Sequence, residues 1–367
     1  MLRSPADERG SRERAAVATG AVLAIVLVVG VLVVLLRDAV VPPRFLADGQ
    51  FIRQQALLPA TPLLDRSYAA VVEVYRATGL AHQLLLAELL GFAAFAAVLL
   101  PAASGLRHRL TAPNIALVLA SGVVGAVYLG WYSKDLFVLP IVALALVAAR
   151  SRWLDAGLVV VMAAYGVGFR QYWLVVAAVY VAVRVCIALR RRASTVVAAG
   201  LAAALLLAVG VVVVLHQSPD YLRVAANSVR DVDDIGSAIR PLLPGSNPVL
   251  QVLELPLIAV TLLVPLPLAA GGGLYHLGLA AAILALWLLV GRATVVVFRE
   301  PPAPWRQRWI ALLVAFVAVQ ALFEPDYGSV LRHLTPLLPL AVALVLSVRG
   351  RGSFRGSVNA ERQLVAR

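Results

Sequence analysis

Lysine is almost missing from this chain. Of its 32 basic residues, 31 are arginine and one, Lys134, is lysine. Cysteine is as scarce. Cys186 stands alone in an apolar run, which excludes a disulfide framework and a thiolate metal cluster. Charge is thin at 14%, against roughly a quarter in a soluble domain. No polar stretch is long enough to bury a core, so a soluble domain is excluded. Neither a glycine-rich nucleotide loop nor a serine-hydrolase elbow is present. His82, His216 and His276 lack metal-ligand spacing.

What fills the chain instead is apolar: 62% of residues are hydrophobic and the mean hydropathy is +0.90. Runs of about 20 apolar residues recur, each long enough to cross a bilayer. The pattern predicts an all-α, polytopic integral membrane protein. Ten transmembrane helices are expected over 15–36, 83–103, 113–131, 136–149, 154–169, 173–189, 195–215, 274–291, 310–323 and 332–348. The first is too long for a signal-peptide core and reads as a retained helix. The run 249–270 is broken by Pro256, Pro265 and Pro267 and reads as a re-entrant or outer-leaflet segment. Arginine clusters recur between alternate helices, and the positive-inside rule places them in the cytoplasm. Both termini are then cytoplasmic, with solvated, disordered tails at 1–14 and 349–367 flanking one transmembrane domain, 15–348. The formal charge of +13 is thus a signature of topology, and nucleic acid is not an expected partner.

The inward loops are short and nearly pure arginine, whereas the outward segments mix acids, bases, aromatics and turn residues. Function is therefore expected on the outer face. Residues 153–189 must cross outward and return. Two helices of about 18 residues reach about 27 Å each, slightly less than the roughly 30 Å hydrocarbon core. The turn with Arg170 and Tyr172 should lie at the outer hydrocarbon edge, and the same reasoning places Lys134 there. Cations at that depth are costly unless they face a polar cavity. Snorkelling of Lys134, paired with the neighbouring Asp135, is one reading. Contact with an anion such as phosphate is the other, and the arginine-only habit elsewhere favours it, since ammonium and guanidinium differ in shape. Arg170 has a plainer reading as an interfacial anchor beside Tyr172 and Trp173.

The densest candidate stretch is "EPDYGSVLRH", with Glu324, Asp326, Arg332 and His333 beside a turn marked by Pro325 and Gly328. Pro336 and Pro339 follow, so the next helix could begin irregularly and aim free N–H groups at an anion. Asp48 and Arg53 follow the first helix. Glu254, in the proline-broken segment, has two readings, a cavity-lining residue and a headgroup-region residue, of which the second is slightly favoured. The catalytic candidates are Asp48, Arg170, Arg332, His333 and Asp326. The substrate-binding candidates are Lys134, Asp135, Tyr172, Arg53 and Glu324. No cofactor or metal site is assigned, and a divalent ion is left open.

Outward cations and carboxylates at membrane level suit a lipid diphosphate, with its charge at this depth and its tail in the bilayer. Glycosyl transfer from such a donor needs stabilisation of the leaving charge and a group to take the acceptor proton. At "RFLADGQFI", "SKD" and "DYGSVLRHLTPLLP" the chain resembles the Wzy-type (EpsG-like) bacterial polysaccharide polymerases and related multi-spanning membrane glycosyltransferases. The resemblance implies transfer or polymerisation of sugars from polyprenyl-diphosphate carriers at the outer face of a bacterial cytoplasmic membrane. It leaves room for flippase and chain-length partner proteins. One departure is the longest outer loop, 216–248, which is shorter than is common in that family. Two alternatives stay open. A GT-C-type glycosyltransferase would use a polyprenyl-monophosphate sugar, and a flippase of lipid-linked sugars would carry charges at the bilayer midplane.

Overall fold

The computed structural model describes residues 5–59, 66–147, 151–221, 223–224, 237–243 and 247–348. All of its regular structure is helical among these residues; an isolated antiparallel bridge joins Ala238 to Asp326. The principal helices are α1 Pro5–Leu35, α2 Ala47–Leu57, α3 Arg66–Ala77, α4 Leu84–Ala103, α5 Ala112–Tyr128, α6 Leu139–Leu146 and α7 Arg152–Gly168. There follow α8 Tyr172–Leu189, α9 Ala193–Leu215, α10 Pro248–Leu263, α11 Gly273–Arg299, α12 Pro304–Phe323, α13 Tyr327–Leu334 and α14 Leu338–Ser347.

Among the described residues, seven segments are long and apolar enough to cross a membrane: 10–35, 84–108, 172–189, 193–215, 273–299, 304–323 and 327–347. The protein is thus a polytopic membrane protein by length and composition. Two of the seven differ from the rest. In 304–323 and 327–347, 78% and 83% of the apolar window is buried, against 22% to 39% in the others. These two form the centre of the bundle. The other five leave apolar side chains such as Val28, Leu86, Val181, Leu206 and Leu288 on the outside, as helices solvated by lipid do.

Three expectations change. The helix expected over 136–149 is eight residues long, Leu139–Leu146, preceded by a 3-10 turn at Lys134–Val138. It still reaches from one end of the bundle to the other, because Val147 C=O accepts Arg308 Nη1 at 3.0 Å beyond its far end. Leu139, Ile141, Val142 and Ala145 are buried, so this irregular backbone lies inside protein, where a bilayer tolerates it. The helix expected over 332–348 starts earlier, at Tyr327, and is broken at Thr335–Leu337, before α14. Pro336 and Pro339 explain the break, since each removes an N–H and crowds the preceding turn. Lastly, α1 begins at Pro5, so most of the tail expected at 1–14 is helical. The tail expected at 349–367 lies outside the described residues.

At the end of the bundle where α12 begins, Arg308 is fully buried. Its Nε contacts Asp155 Oδ1 at 2.9 Å, and Arg184 Nη2 reaches Asp155 Oδ2 at 2.8 Å. Tyr180 also donates to Asp155. This carboxylate ties α7, α8 and α12 together. Asp155→Ala leaves a buried guanidinium without its counter-charge and should cost about 3–5 kcal/mol. Arg184→Gln removes a more exposed partner and should cost under about 1 kcal/mol. Thermal unfolding in detergent checks the order of the two variants.

Candidate functional site

The centre of interest is the junction of the two central helices. α12 ends at Phe323 and the chain turns through Glu324–Asp326 into α13, which places Arg332 and His333 in the last turn before the proline break. Asp326 is the N-cap of α13. Its Oδ1 accepts Ser329 N–H and its Oδ2 accepts Ser329 Oγ–H, both at 2.8 Å. The structure thus places Asp326, expected among the catalytic residues, as the cap that organises this turn. Ser237 C=O accepts Tyr327 N–H and Pro325 C=O accepts Ile239 N–H, pinning the end of the long outer loop to the same turn.

A second part of the site is built on α2. Gly49 lies against the Trp131 ring, and a Cβ there would sit 1.6 Å from Trp131 Cδ1. The indole N–H of Trp131 donates to Leu46 C=O at 3.2 Å. Gly91 likewise lets Leu129 C=O approach α4, at 2.2 Å from where a Cβ would stand. Arg37, itself buried, donates to Gly130 C=O, pairs with Glu88 at 2.6 Å and stacks on Trp131. These contacts clamp the turn 129–135 between α1, α2 and α4. Asp48 and Lys134 are brought face to face as a result.

The assembled site is a network of charges. Asp135 is 2% exposed. Its Oδ1 meets Arg170 Nη1 at 2.8 Å and its Oδ2 lies 3.7 Å from Arg332 Nε. Arg332 Nη1 pairs with Asp48 Oδ2, and Lys134 Nζ stands 3.8 Å from that same oxygen. Lys134 thus pairs with Asp48, not with its neighbour Asp135. Its ammonium also sits over the Tyr68 ring, 3.9 Å from the centroid. Arg170 donates to Tyr172 Oη at 2.9 Å. His333 Nε2 lies 3.1 Å from Arg332 Nη2 and 3.2 Å from Arg170 Nη2, while Nδ1 meets Glu324 Oε1. Two guanidinium donors at Nε2 assign its lone pair there, so the proton belongs on Nδ1, facing Glu324. Arg170 and Trp173 are buried, so this turn is not an interfacial belt.

Of the ten expected site residues, eight converge: Asp48, Lys134, Asp135, Arg170, Tyr172, Glu324, Arg332 and His333. Asp326 is a cap. Arg53 is corrected as well, because it lies toward Tyr132 and Glu88 on the other side of the turn. Its helix position explains this: it is five residues, about 500° of rotation, from Asp48. Glu254 is buried, accepting Leu242 N–H at 2.7 Å. Sequence reasoning missed Tyr68, which hydrogen-bonds Asp48, and Tyr165, whose hydroxyl donates to Lys134 C=O at 3.2 Å. The apolar spacing of Tyr68, Val71, Val72 and Tyr75 is a helical signal between the first two expected spans.

Asp48, Lys134, Asp135 and Arg332 line a narrow recess together with Phe45, Ile52, Tyr128 and Trp131. Electrostatics follow from the packing. Burial acts to raise the Asp48 carboxyl, but Arg332, then Lys134 and Tyr68, outweigh it and hold it well below the carboxylate range. Burial is the first cause at Lys134, reinforced by Arg170, and lowers the ammonium to about 7. Burial pushes Glu324 up to about 8. For Arg170 burial disfavours charge, yet Asp135 more than offsets it. With Glu324 largely protonated, Lys134, Arg170 and Arg332 face the carboxylates of Asp48 and Asp135, so the site has positive charge in excess whenever Lys134 is protonated. Among the described residues no group of three His, Cys, Asp or Glu side chains is arranged to hold a metal. No protein-family model, curated protein or solved structure matches the chain.

Because the chain has one lysine, [ε-13C]lysine labelling yields one side-chain resonance. Its titration midpoint should fall near 7, far below the 10.5 of an unperturbed lysine. The ammonium is charged below that midpoint and is lost above it. Asp48→Asn should lower the midpoint further by removing an attractive charge. A midpoint near 10.5 would mean the ammonium reaches water.

Proposed function

We propose that the chain is a membrane glycosyltransferase, of the polysaccharide-polymerising kind, that uses a polyprenyl-diphosphate-linked sugar at the outer face of a bacterial cytoplasmic membrane. One observation carries the reading: Lys134, Arg170 and Arg332, from three distant parts of the chain, converge with excess positive charge beside a recess at one end of an apolar bundle. A lipid diphosphate would bring its anion to that recess and keep its tail in the bilayer.

The chemistry follows from the contacts. The acceptor hydroxyl oxygen forms a bond to the anomeric carbon as the bond from that carbon to the diphosphate oxygen breaks. Lys134 and Arg332 take the leaving charge. The acceptor proton goes to Asp48, the most exposed carboxylate of the site. With both cations on it Asp48 is a weak base. A bound diphosphate competes for Arg332 and Lys134, which restores its basicity as substrate arrives. Asp135 and the His333–Glu324 pair position the two guanidinium groups.

Ten crossings with both termini cytoplasmic belong to the same reading. The seven long segments, α5, α7 and the irregular 134–147 segment supply them. α10 is best left uncounted, since Glu254 lies by Arg223 and Thr261 by Tyr327, both at the site end. In a Cys186→Ala background, a cysteine at Ser353 should resist labelling from outside intact cells; labelling there would reverse the orientation.

A second reading, a GT-C-type enzyme using a polyprenyl-monophosphate sugar, is favoured by one observation. Arg332 holds Asp48 and Asp135 as an acidic pair that the linear sequence does not display. Transfer of labelled sugar by the purified protein in liposomes separates the two, with diphosphate and monophosphate donors run in parallel. On the first reading only the diphosphate donor is used. Lys134→Ala should then cost about 3 kcal/mol, on the order of a hundredfold in rate. Lys134→Arg should also be impaired, because the planar fork is longer than the ammonium. Unchanged activity in both variants would remove Lys134 from the site.

A further inference from the structure

At the end of the bundle opposite Asp135, several arginines gather around Glu300 and the end of α11. Arg306, in the first turn of α12, pairs with Glu300, which follows α11. Arg191, between α8 and α9, donates Nη2 to the carbonyls of Val297, at 3.2 Å, and Glu300. Arg109, between α4 and α5, lies close enough to Glu300, Arg292 and Arg306 for all three charges to act on it. Burial lowers its pKa, Glu300 opposes that, and the two arginines add to the lowering. Arg306 and Arg109 share the Glu300 carboxylate, Arg191 takes backbone carbonyls and Arg292 adds its charge at Arg109, so positive charge predominates in the group. Arg191 and Arg306 are half-buried, where such charge is less well screened than in water.

A different observation points to the ligand. Arg292 stands exposed on α11, on the strip that also carries Leu288, 63% exposed, and Val295, 37% exposed. Their spacing puts them on one helical face. An outward apolar strip therefore runs along α11 into the cationic group. A ligand with a phosphate and an acyl chain matches both halves, and free phosphate matches only one. We propose that Arg109, Arg292 and Arg306 bind the phosphate headgroup of an anionic phospholipid whose acyl chain lies along α11 at Leu288. This site is separate from the recess at Asp48 and does not depend on the reading given to it.

The test uses the full chain purified in detergent, with phosphatidylglycerol, phosphatidylcholine or inorganic phosphate added. Native mass spectrometry reads retained lipid and thermal unfolding reads stabilisation. Wild type should retain phosphatidylglycerol in preference to phosphatidylcholine. The Arg109→Gln/Arg292→Gln variant should lose roughly thirtyfold of that preference, the order expected for two arginines near an anionic lipid. Arg292→Gln alone, at an exposed position that does not threaten folding, should lose about fivefold, and Arg292→Lys should keep most of it. Arg14→Gln, which removes the same charge elsewhere on the chain, should change nothing. Equal retention in wild type and Arg292→Gln would overturn the proposal, as would an equal loss in Arg14→Gln. Stabilisation by inorganic phosphate as strong as that by phosphatidylglycerol would overturn the lipid assignment.

Discussion

Asp135 is the carboxylate that Arg170 and Arg332 share in a setting nearly closed to water. The rest of the site depends on that sharing. A buried guanidinium costs several kcal/mol unless it is paired, and here two stand together, joined further through His333 Nε2. Without Asp135 they would repel each other and draw in water. With it, Arg332 is held where its remaining donors reach Asp48. The joint between α12 and α13 supplies Glu324, the last turn of α13 supplies Arg332 and His333, and the clamped turn 129–135 supplies Asp135 and Lys134. Packing in the apolar bundle and charge in the polar site are therefore solved by the same two pieces of chain.

The network is also self-masking. Arg332 and Lys134 both address Asp48 Oδ2, so the most accessible base is quenched by the groups that would bind an anion. The same low dielectric that makes these pairs strong makes them exchangeable for a better partner. A diphosphate offers two negative groups and would draw the cations away from a single carboxylate oxygen. Glu324, pushed up to about 8, holds no full negative charge at neutral pH to compete for them. A site with positive charge in excess whenever Lys134 is protonated thus has electrostatic room for an anion.

Much of this was legible in the sequence, and the reasons it stopped are physical. The isolated Lys134 and the dense stretch Glu324–His333 stood out because ionisable groups at membrane depth are costly, and eight of the ten residues chosen on that ground converge. Pairing was not legible. Lys134 meets Asp48, 86 positions away, because Gly49 and Gly91 permit close approaches that composition does not reveal. Asp326 looked like chemistry and is a cap, since an Asp before Ser329 at this spacing serves helix starts as readily as catalysis. Arg53 follows Asp48 closely in sequence but faces Tyr132, as helical rotation dictates. Helix 139–146 is short because the burial of its backbone relieves it of the length a lipid-facing helix needs. The bundle itself was legible throughout, since apolar run length is a direct consequence of bilayer thickness.

The measurement that bears most directly on the central claim is a structure of the full chain with a polyprenyl diphosphate bound. Phosphate oxygens should lie within hydrogen-bonding distance of Lys134 Nζ and Arg332, with Asp48 released from both and Asp135 still on Arg170. A diphosphate bound elsewhere, with Lys134 and Arg332 still on Asp48, would contradict it.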